Sequence, residues 1–240
     1  MFRFKQFNVH QSKSAMKLGT DAMLLGALLK ADEFSSAIDV GCGTGVISLM
    51  LAQRYSNSHI LGVDIDEQTT DEAAFNFASS PWSDRLSSAC LNYLSLDSSM
   101  QFDLVFSNPP YYQSKQINTD SRKAAARHEC AMPVSDFWRT TESVLSTQGS
   151  VWVIVPYNIL LHWVDEAHVQ GFHLKEVVLI EGKRGGGFIR VVAKFKRYDE
   201  KRSLCIGFQK MVIREDCGAY TDEYISLTKP YHFNQLKSVK

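Results

Sequence analysis

The stretch Ile38-Asp39-Val40-Gly41-Cys42-Gly43-Thr44-Gly45 decides the fold. An apolar run ends in three alternate glycines, and a helical apolar pattern begins at Val46, which together read as strand, loop and helix start. Gly41, Gly43 and Gly45 allow a tight turn and let a ligand approach closer than a Cβ would permit. A nucleotide-like cofactor suits such a loop. A dinucleotide fingerprint would place its third glycine one residue later, where this chain has Val46. The spacing therefore argues against NAD and for S-adenosylmethionine. Asp39, at the strand end, is placed either to fix the loop or to reach the cationic side of such a cofactor.

Working outward, His59-Ile60-Leu61-Gly62-Val63-Asp64 is a second short apolar strand ending in an acid, 19 residues after Gly45. A carboxylate at that tip accepts from both hydroxyls of a ribose. Asp64 is the candidate. Upstream, Thr20 or Asp21 caps a helix running to Leu29, and Gly19 and Thr20 offer backbone amides and a hydroxyl to a cofactor carboxylate. A plain N-cap would use the same residues. Phe2 to Phe7 alternates aromatic and polar residues and reads as a short strand or a lid.

Downstream, helices are expected at Val46–Arg54 and Glu67–Ser79, and a third strand at Leu86–Cys90. Asn92 follows, a candidate acceptor for an adenine amine, although loop asparagines also serve turns. The fourth strand, Phe102–Ser107, runs into Asn108-Pro109-Pro110-Tyr111. A conjugated amine or amide nitrogen is a weak nucleophile, and the Asn108 side-chain oxygen and Pro109 carbonyl form a pair of acceptors for its hydrogens. The tandem prolines stiffen the loop, and Tyr111 supplies a ring for a planar substrate. These four are the candidate catalytic residues.

Beyond them, residues 112–133 read as a substrate loop with Arg122, Lys123 and Arg127 close together, as candidate phosphate contacts beside His128 or as solvated loop charges. Expected next are a helix at Val134–Leu145, a strand at Val151–Val155, a helix at Ile159–Val169, and strands at Leu174–Ile180 and Phe188–Phe195. The glycine-rich turn from Gly182 to Gly187 makes the last two an antiparallel hairpin, and at least one more strand follows before an aromatic tail with helix-like spacing. The expectation is an α/β, Rossmann-like fold: a seven-stranded, mostly parallel sheet with a late antiparallel hairpin and helices on both faces. One domain is expected over residues 1–240, with a cofactor-covering segment at 1–35 and a basic extension at 183–240.

Formal net charge is zero, but its distribution is uneven. Residues 60–110 hold eight acids against Arg85, whereas residues 183–214 hold ten Lys or Arg against Asp199 and Glu200. A basic face suited to phosphate is one reading, with Lys183 and Arg184 its candidate contacts, and solvated strand faces are the other. Five cysteines without a C-x-x-C pair suggest neither a disulfide framework nor zinc, and no metal is expected. No apolar run reaches a membrane span, so a cytoplasmic protein is expected.

The glycine loop and Asp64 resemble the first two motifs of class I S-adenosylmethionine-dependent methyltransferases. Most of the chain further resembles the bacterial valine-tRNA adenine-N6 methyltransferases. That likeness is carried by Phe4-Lys5-Gln6-Phe7, Met16 to Asp21 with Leu24-Leu25-Gly26, the 39–45 loop, Ser80-Pro81-Trp82, and Phe102-Asp103-Leu104 through Ser107 to Tyr112. The resemblance implies methylation of the exocyclic N6 of the adenosine immediately 3′ of the anticodon, tRNA position 37, by a monomer that binds tRNA. Asn92 departs from the acid usual at its position. The Asn-Pro-Pro-Tyr motif is also shared with enzymes that methylate a glutamine amide on release factors and with other adenine-N6 enzymes. The former carry a helical N-terminal domain for which the residues before Ile38 leave no room.

Overall fold

The computed structural model describes residues 1–14, 17–110, 132–199 and 205–233. A hairpin of β1 (Phe2–Arg3) and β2 (Asn8–Val9) comes first, followed by α1 (Thr20–Leu28). Strand and helix then alternate through β3 (Ser36–Val40), α2 (Val46–Arg54), β4 (His59–Asp64), α3 (Glu67–Ala78), β5 (Leu86–Cys90) and β6 (Phe102–Ser107). The second half holds α4 (Val134–Val144), β7 (Leu145–Pro156), α5 (Leu160–Val169), β8 (Phe172–Lys183), β9 (Phe188–Arg197), β10 (Gly207–Arg214) and α6 (Asp222–Thr228).

The sheet order is β10-β8-β9-β7-β6-β3-β4-β5. Every adjacent pair is parallel except those of β9, which runs antiparallel to both β7 and β8. The expected seven strands become eight, because the strand after the hairpin does not end the chain separately. β10 adds to the edge of β8, with Gly207 opposite Glu176 and Arg214 opposite Lys183. The order reverses at β3, so the loops after β3 and β6 open on the same crevice, where such sheets bind ligands.

Central strands are buried on both faces, and successive side chains enter opposite cores. Along β7, Val151, Val153 and Val155 pack with Phe137 and Trp138 of α4 and Trp163 of α5, while Trp152 and Ile154 join the core under α1 and α2. The hydrophobic effect thus fixes helices on both faces of the sheet. The N-terminal hairpin is seated in the first of these cores: Phe4 stacks on Phe7 at 4.3 Å, and Phe7 meets the edge of Trp82 at 5.7 Å. Its far end is tied to the C-terminal tail, where Lys5 N donates to the Tyr231 carbonyl at 2.9 Å. Among the described residues no helix is long and apolar enough to cross a membrane.

Candidate functional site

The crevice at the reversal point is a cleft of about 540 Å³. One wall is Lys17 to Ala22, leading into and beginning α1; a second is Gly41 to Thr44 with Val46 and Ile47; a third is Asn108, Pro109 and Pro110. Ile189, Arg190 and Ile213 close it from the hairpin side. Sequence positions as far apart as Lys17 and Ile213 therefore meet in one cavity.

The loop is shaped by its own backbone. Gly41 N and Cys42 N both donate to the Val63 carbonyl, at 2.9 and 3.0 Å, and Gly45 N donates back to the Cys42 carbonyl. Gly41 and Gly43 have φ of 70° and 55°, and nothing lies within 4 Å of where a side chain would start, so these two leave open space for a ligand. Gly45, at φ 75°, has a different task, because a Cβ there would run into the Phe77 ring of α3. It is the packing glycine.

Asp64 spans the loop and the start of α3. Its Oδ2 accepts from Gly43 N at 3.1 Å and its Oδ1 from Asp66 N at 3.1 Å, and it stays partly exposed with acceptor capacity to spare. Asp39 stands behind the loop, only 1% exposed, accepting from Ser48 Oγ at 2.7 Å. Its Oδ1 has no hydrogen-bond partner among the described residues. Burial pushes its pKa up to about 7 against the pull of the Ser48 bonds. The Ser48 side-chain bond ties β3 to α2, the two elements that the loop joins. Cys42 is buried beside Asp39, and burial likewise pushes its thiol up.

Asn92 does not line the cleft. Its side-chain oxygen accepts from Leu94 N at 3.0 Å and caps a short helical turn, the local use that loop asparagines commonly have. At the turn between β8 and β9, Lys183 is exposed, whereas Arg184 donates through Nε and Nη2 to both oxygens of Glu215, at 2.6 and 2.9 Å. The sequence counted Arg184 as a cation open to phosphate, and the structure gives it a carboxylate partner. Tyr111, Arg122, Lys123, Arg127 and His128 lie outside the described residues.

Several residues near the cleft have partners that the sequence did not show, among them Arg190, which the sequence counts with the bases up to Arg214 as candidate contacts for substrate phosphates. Arg190 of β9 donates through Nε to Asp21 at 2.8 Å and ties α1 to the sheet. Glu72 and Asn76, four apart and so on one face of α3, hold residues 10–14. The i, i+4 spacing was visible, but their partners some 60 residues away were not.

The cleft fits S-adenosylmethionine. Backbone without side chains faces it at Gly41 and Gly43, an acid holds the loop from the second strand tip, and the Asn-Pro-Pro turn enters from the opposite wall. The fold and this cleft define a class I methyltransferase, and residues 8–164 match the methyltransferase small domain family. More particularly, the chain belongs to the tRNA1(Val) (adenine(37)-N6)-methyltransferase family. A protein of that name from Flavobacterium psychrophilum is 36% identical over 97% of this chain and 99% of its own length. Another from Bacteroides fragilis is 33% identical over 96% and 97%. Among solved structures, a predicted O-methyltransferase from Agrobacterium tumefaciens superposes with a TM-score of 0.66 at 17% identity, covering 88% of this chain and 96% of its own. That likeness is one of fold.

Proposed function

We propose that this chain is a cytoplasmic tRNA methyltransferase acting on N6 of adenosine 37, the nucleotide 3′ of the anticodon, in a valine tRNA. The observation that carries the reading is the meeting of Asn108-Pro109-Pro110 with Gly41 and Gly43 in one cleft, within a chain whose relatives bear that activity in their names over nearly their whole length.

S-adenosylmethionine, when bound, supplies a methyl group made electrophilic by a sulfonium. Gly41 and Gly43 would let it approach the backbone, Asp64 at the strand tip would accept from its ribose hydroxyls, and Gly19 and Thr20 would hold its carboxylate end. The protein's remaining task is to make a poor nucleophile face the right way. The N6 lone pair is delocalised into the ring. Acceptors at the Asn108 side-chain oxygen and the Pro109 carbonyl hold the two amine hydrogens, favour positive charge on nitrogen and turn the lone pair out of conjugation. The proline that follows fixes the carbonyl's direction. Nitrogen loses its extra proton to solvent after transfer, so this reading calls for neither a metal nor a histidine base.

A stacked base cannot reach a cleft wall, so the target is extruded, and a loop nucleotide is easier to unstack than a paired one. Tyr111 is the proposed stacking ring. Phosphates meet the basic stretches of the chain, with Lys183 as the open cation at the hairpin turn, Arg184 beside it in its pair with Glu215, and Arg122, Lys123 and Arg127 as further candidate contacts. One chain supplies every named group, so a monomer suffices.

The test is incubation with labelled cofactor and total tRNA, followed by mass spectrometry of the nucleosides. N6-methyladenosine in a valine tRNA is expected, and Asn108→Ala should abolish it while binding cofactor within about threefold of wild type, as expected when the deleted group acts on the transition state. Methylated glutamine on a release factor, or no methylated RNA, would overturn the proposal.

A further inference from the structure

Residues 10–14 are a strap without regular secondary structure, held against α3. Backbone of that kind must find partners for its amides outside any helix or sheet. Glu72, 4% exposed on α3, supplies them. Its Oε1 accepts from Ser12 N at 2.6 Å, Ser12 Oγ at 3.0 Å and Lys13 N at 3.1 Å, and its Oε2 from Ser14 N at 2.8 Å and Ser14 Oγ at 2.7 Å. Three successive amides converging on one carboxylate make a backbone nest, here filled by a side chain of the same molecule.

One helical turn later, Asn76 accepts from His10 N at 2.8 Å and donates to the carbonyls of both His10 and Thr44 at 2.9 Å. A single buried amide thereby couples the strap to the glycine loop. Gln11 then reaches across the strap: its side-chain oxygen accepts from Leu18 N at 2.8 Å. Leu18 opens the wall made by Gly19, Thr20 and Asp21, which faces Gly41 to Thr44 across the cleft. Gly19, the N-cap of α1, has no side chain with which to cap the helix, so the wall is held at Leu18 by Gln11 and at Asp21 by Arg190.

We infer that Glu72, acting with Asn76 and Gln11, is a positioning residue for cofactor binding: it holds the strap so that residues 18–21 stand at a fixed distance from the glycine loop. The inference rests on the reading of the cleft as an S-adenosylmethionine site. Neither Glu72 nor Gln11 lines the cleft, so both act through the strap. Removing a neutral hydrogen bond corresponds to roughly a five- to tenfold change in an equilibrium, and removing one to a charged group to about tenfold or more.

The experiment uses the full chain and two variants, Gln11→Ala and Glu72→Gln. Measured are the Kd of S-adenosylhomocysteine by calorimetry, kcat and the KM for S-adenosylmethionine at saturating tRNA, hydrogen exchange at residues 10–14 and 17–19, and the urea midpoint. Gln11→Ala removes only the clasp. It should raise Kd and KM about fivefold with kcat within twofold and the urea midpoint unchanged. Glu72→Gln keeps the size but replaces one of the two acceptor oxygens by an amide donor that faces the strap's own donors. It should raise Kd more than tenfold and lose exchange protection at residues 12–14. A wild type that binds cofactor, with Gln11→Ala equal to it in Kd and KM, overturns this inference alone, whether or not Glu72→Gln folds. A fall in kcat in proportion to unfolded protein, with KM unchanged, does the same. A wild type that binds no cofactor overturns the functional reading and this inference with it.

Discussion

The glycine loop and the strap both rest on α3, and each has a buried carboxylate at its back, but the two acids are treated in opposite ways. Glu72 receives five different donors from the strap, whereas Asp39, behind the loop, receives the Ser48 hydroxyl and keeps an oxygen without a partner among the described residues. Burial alone would raise Glu72, yet the bonds from Ser14, Lys13 and Ser12 bring it down to about 2. Asp39 is brought up to about 7. Full satisfaction is found where a segment must be held still. The unsatisfied group is found beside the loop that receives a ligand, as is usual for polar groups kept at a cost in stability.

If the loop's position depends on how it sits on α3, the largest effect should come from Gly45→Ala. The new methyl would meet the Phe77 ring and would also force a left-handed backbone on alanine. Overpacking of about 3 kcal/mol and a backbone cost of about 1–2 kcal/mol suggest a loss of about 4–5 kcal/mol in urea denaturation. Gly41→Ala meets open space and should show only the backbone cost, with a marked loss of cofactor affinity. Equal stability losses in the two variants would mean that Gly41 and Gly45 do the same work.

The two carboxylates can next be separated by pH, since their contributions have opposite sign. Asp39 has a folded pKa above its ordinary 3.8, so its contribution is fully present below about pH 4 and is lost as pH rises through 7. The shift corresponds to on the order of 4 kcal/mol. Glu72 has a folded pKa below its ordinary 4.5, so its contribution is present above that value and is lost as pH falls toward 2, on the order of 3 kcal/mol. Denaturation across pH 2–9 should therefore show a maximum near pH 4–5. Asp39→Asn should flatten the upper limb and Glu72→Gln the lower. A single variant that flattened both limbs would show that the acids are coupled and would remove the contrast.

What the sequence made legible was local. The loop glycines and the Asn-Pro-Pro turn are short motifs whose geometry follows from their own residues, and the structure brings them to one cleft. The alternation of strands and helices was equally readable, because buried parallel strands are runs of apolar residues. The strap was not readable, since Glu72 meets Ser12 across 60 residues and nothing in an exposed-looking acid on α3 announces a nest. The direction of Asp39 was open for a related reason: Ser48, nine residues on, decides which way the carboxylate faces. The eighth strand was visible as a strand, but its place at the sheet edge depends on pairing with β8. Arg184 was visible as a charge, but Glu215, 31 residues later, was not visible as its partner.

That last pair repeats the contrast between a committed and an uncommitted charge, at the surface and on the smallest scale. Lys183 and Arg184 are neighbours at the hairpin turn, but Arg184 is held at both oxygens of Glu215, in a pair whose side chains are 54% and 35% exposed. A surface pair of this kind is worth about 0–1 kcal/mol and constrains the fold little. Its effect on RNA would be larger than its effect on stability, because Glu215 neutralises the charge that a phosphate would meet. Removing one cation that meets a phosphate should reduce the slope of log affinity against log salt by about 0.7–0.9. Lys183→Ala should show a change of that size with valine tRNA. Arg184→Ala should show less than half of it, and the double variant Arg184→Ala with Glu215→Ala should return close to the wild-type slope, because it removes one charge of each sign. If Arg184→Ala instead matched Lys183→Ala and the double variant failed to recover, Arg184 would be reaching phosphate in spite of its partner, and the committed charge would prove as available as the exposed lysine beside it.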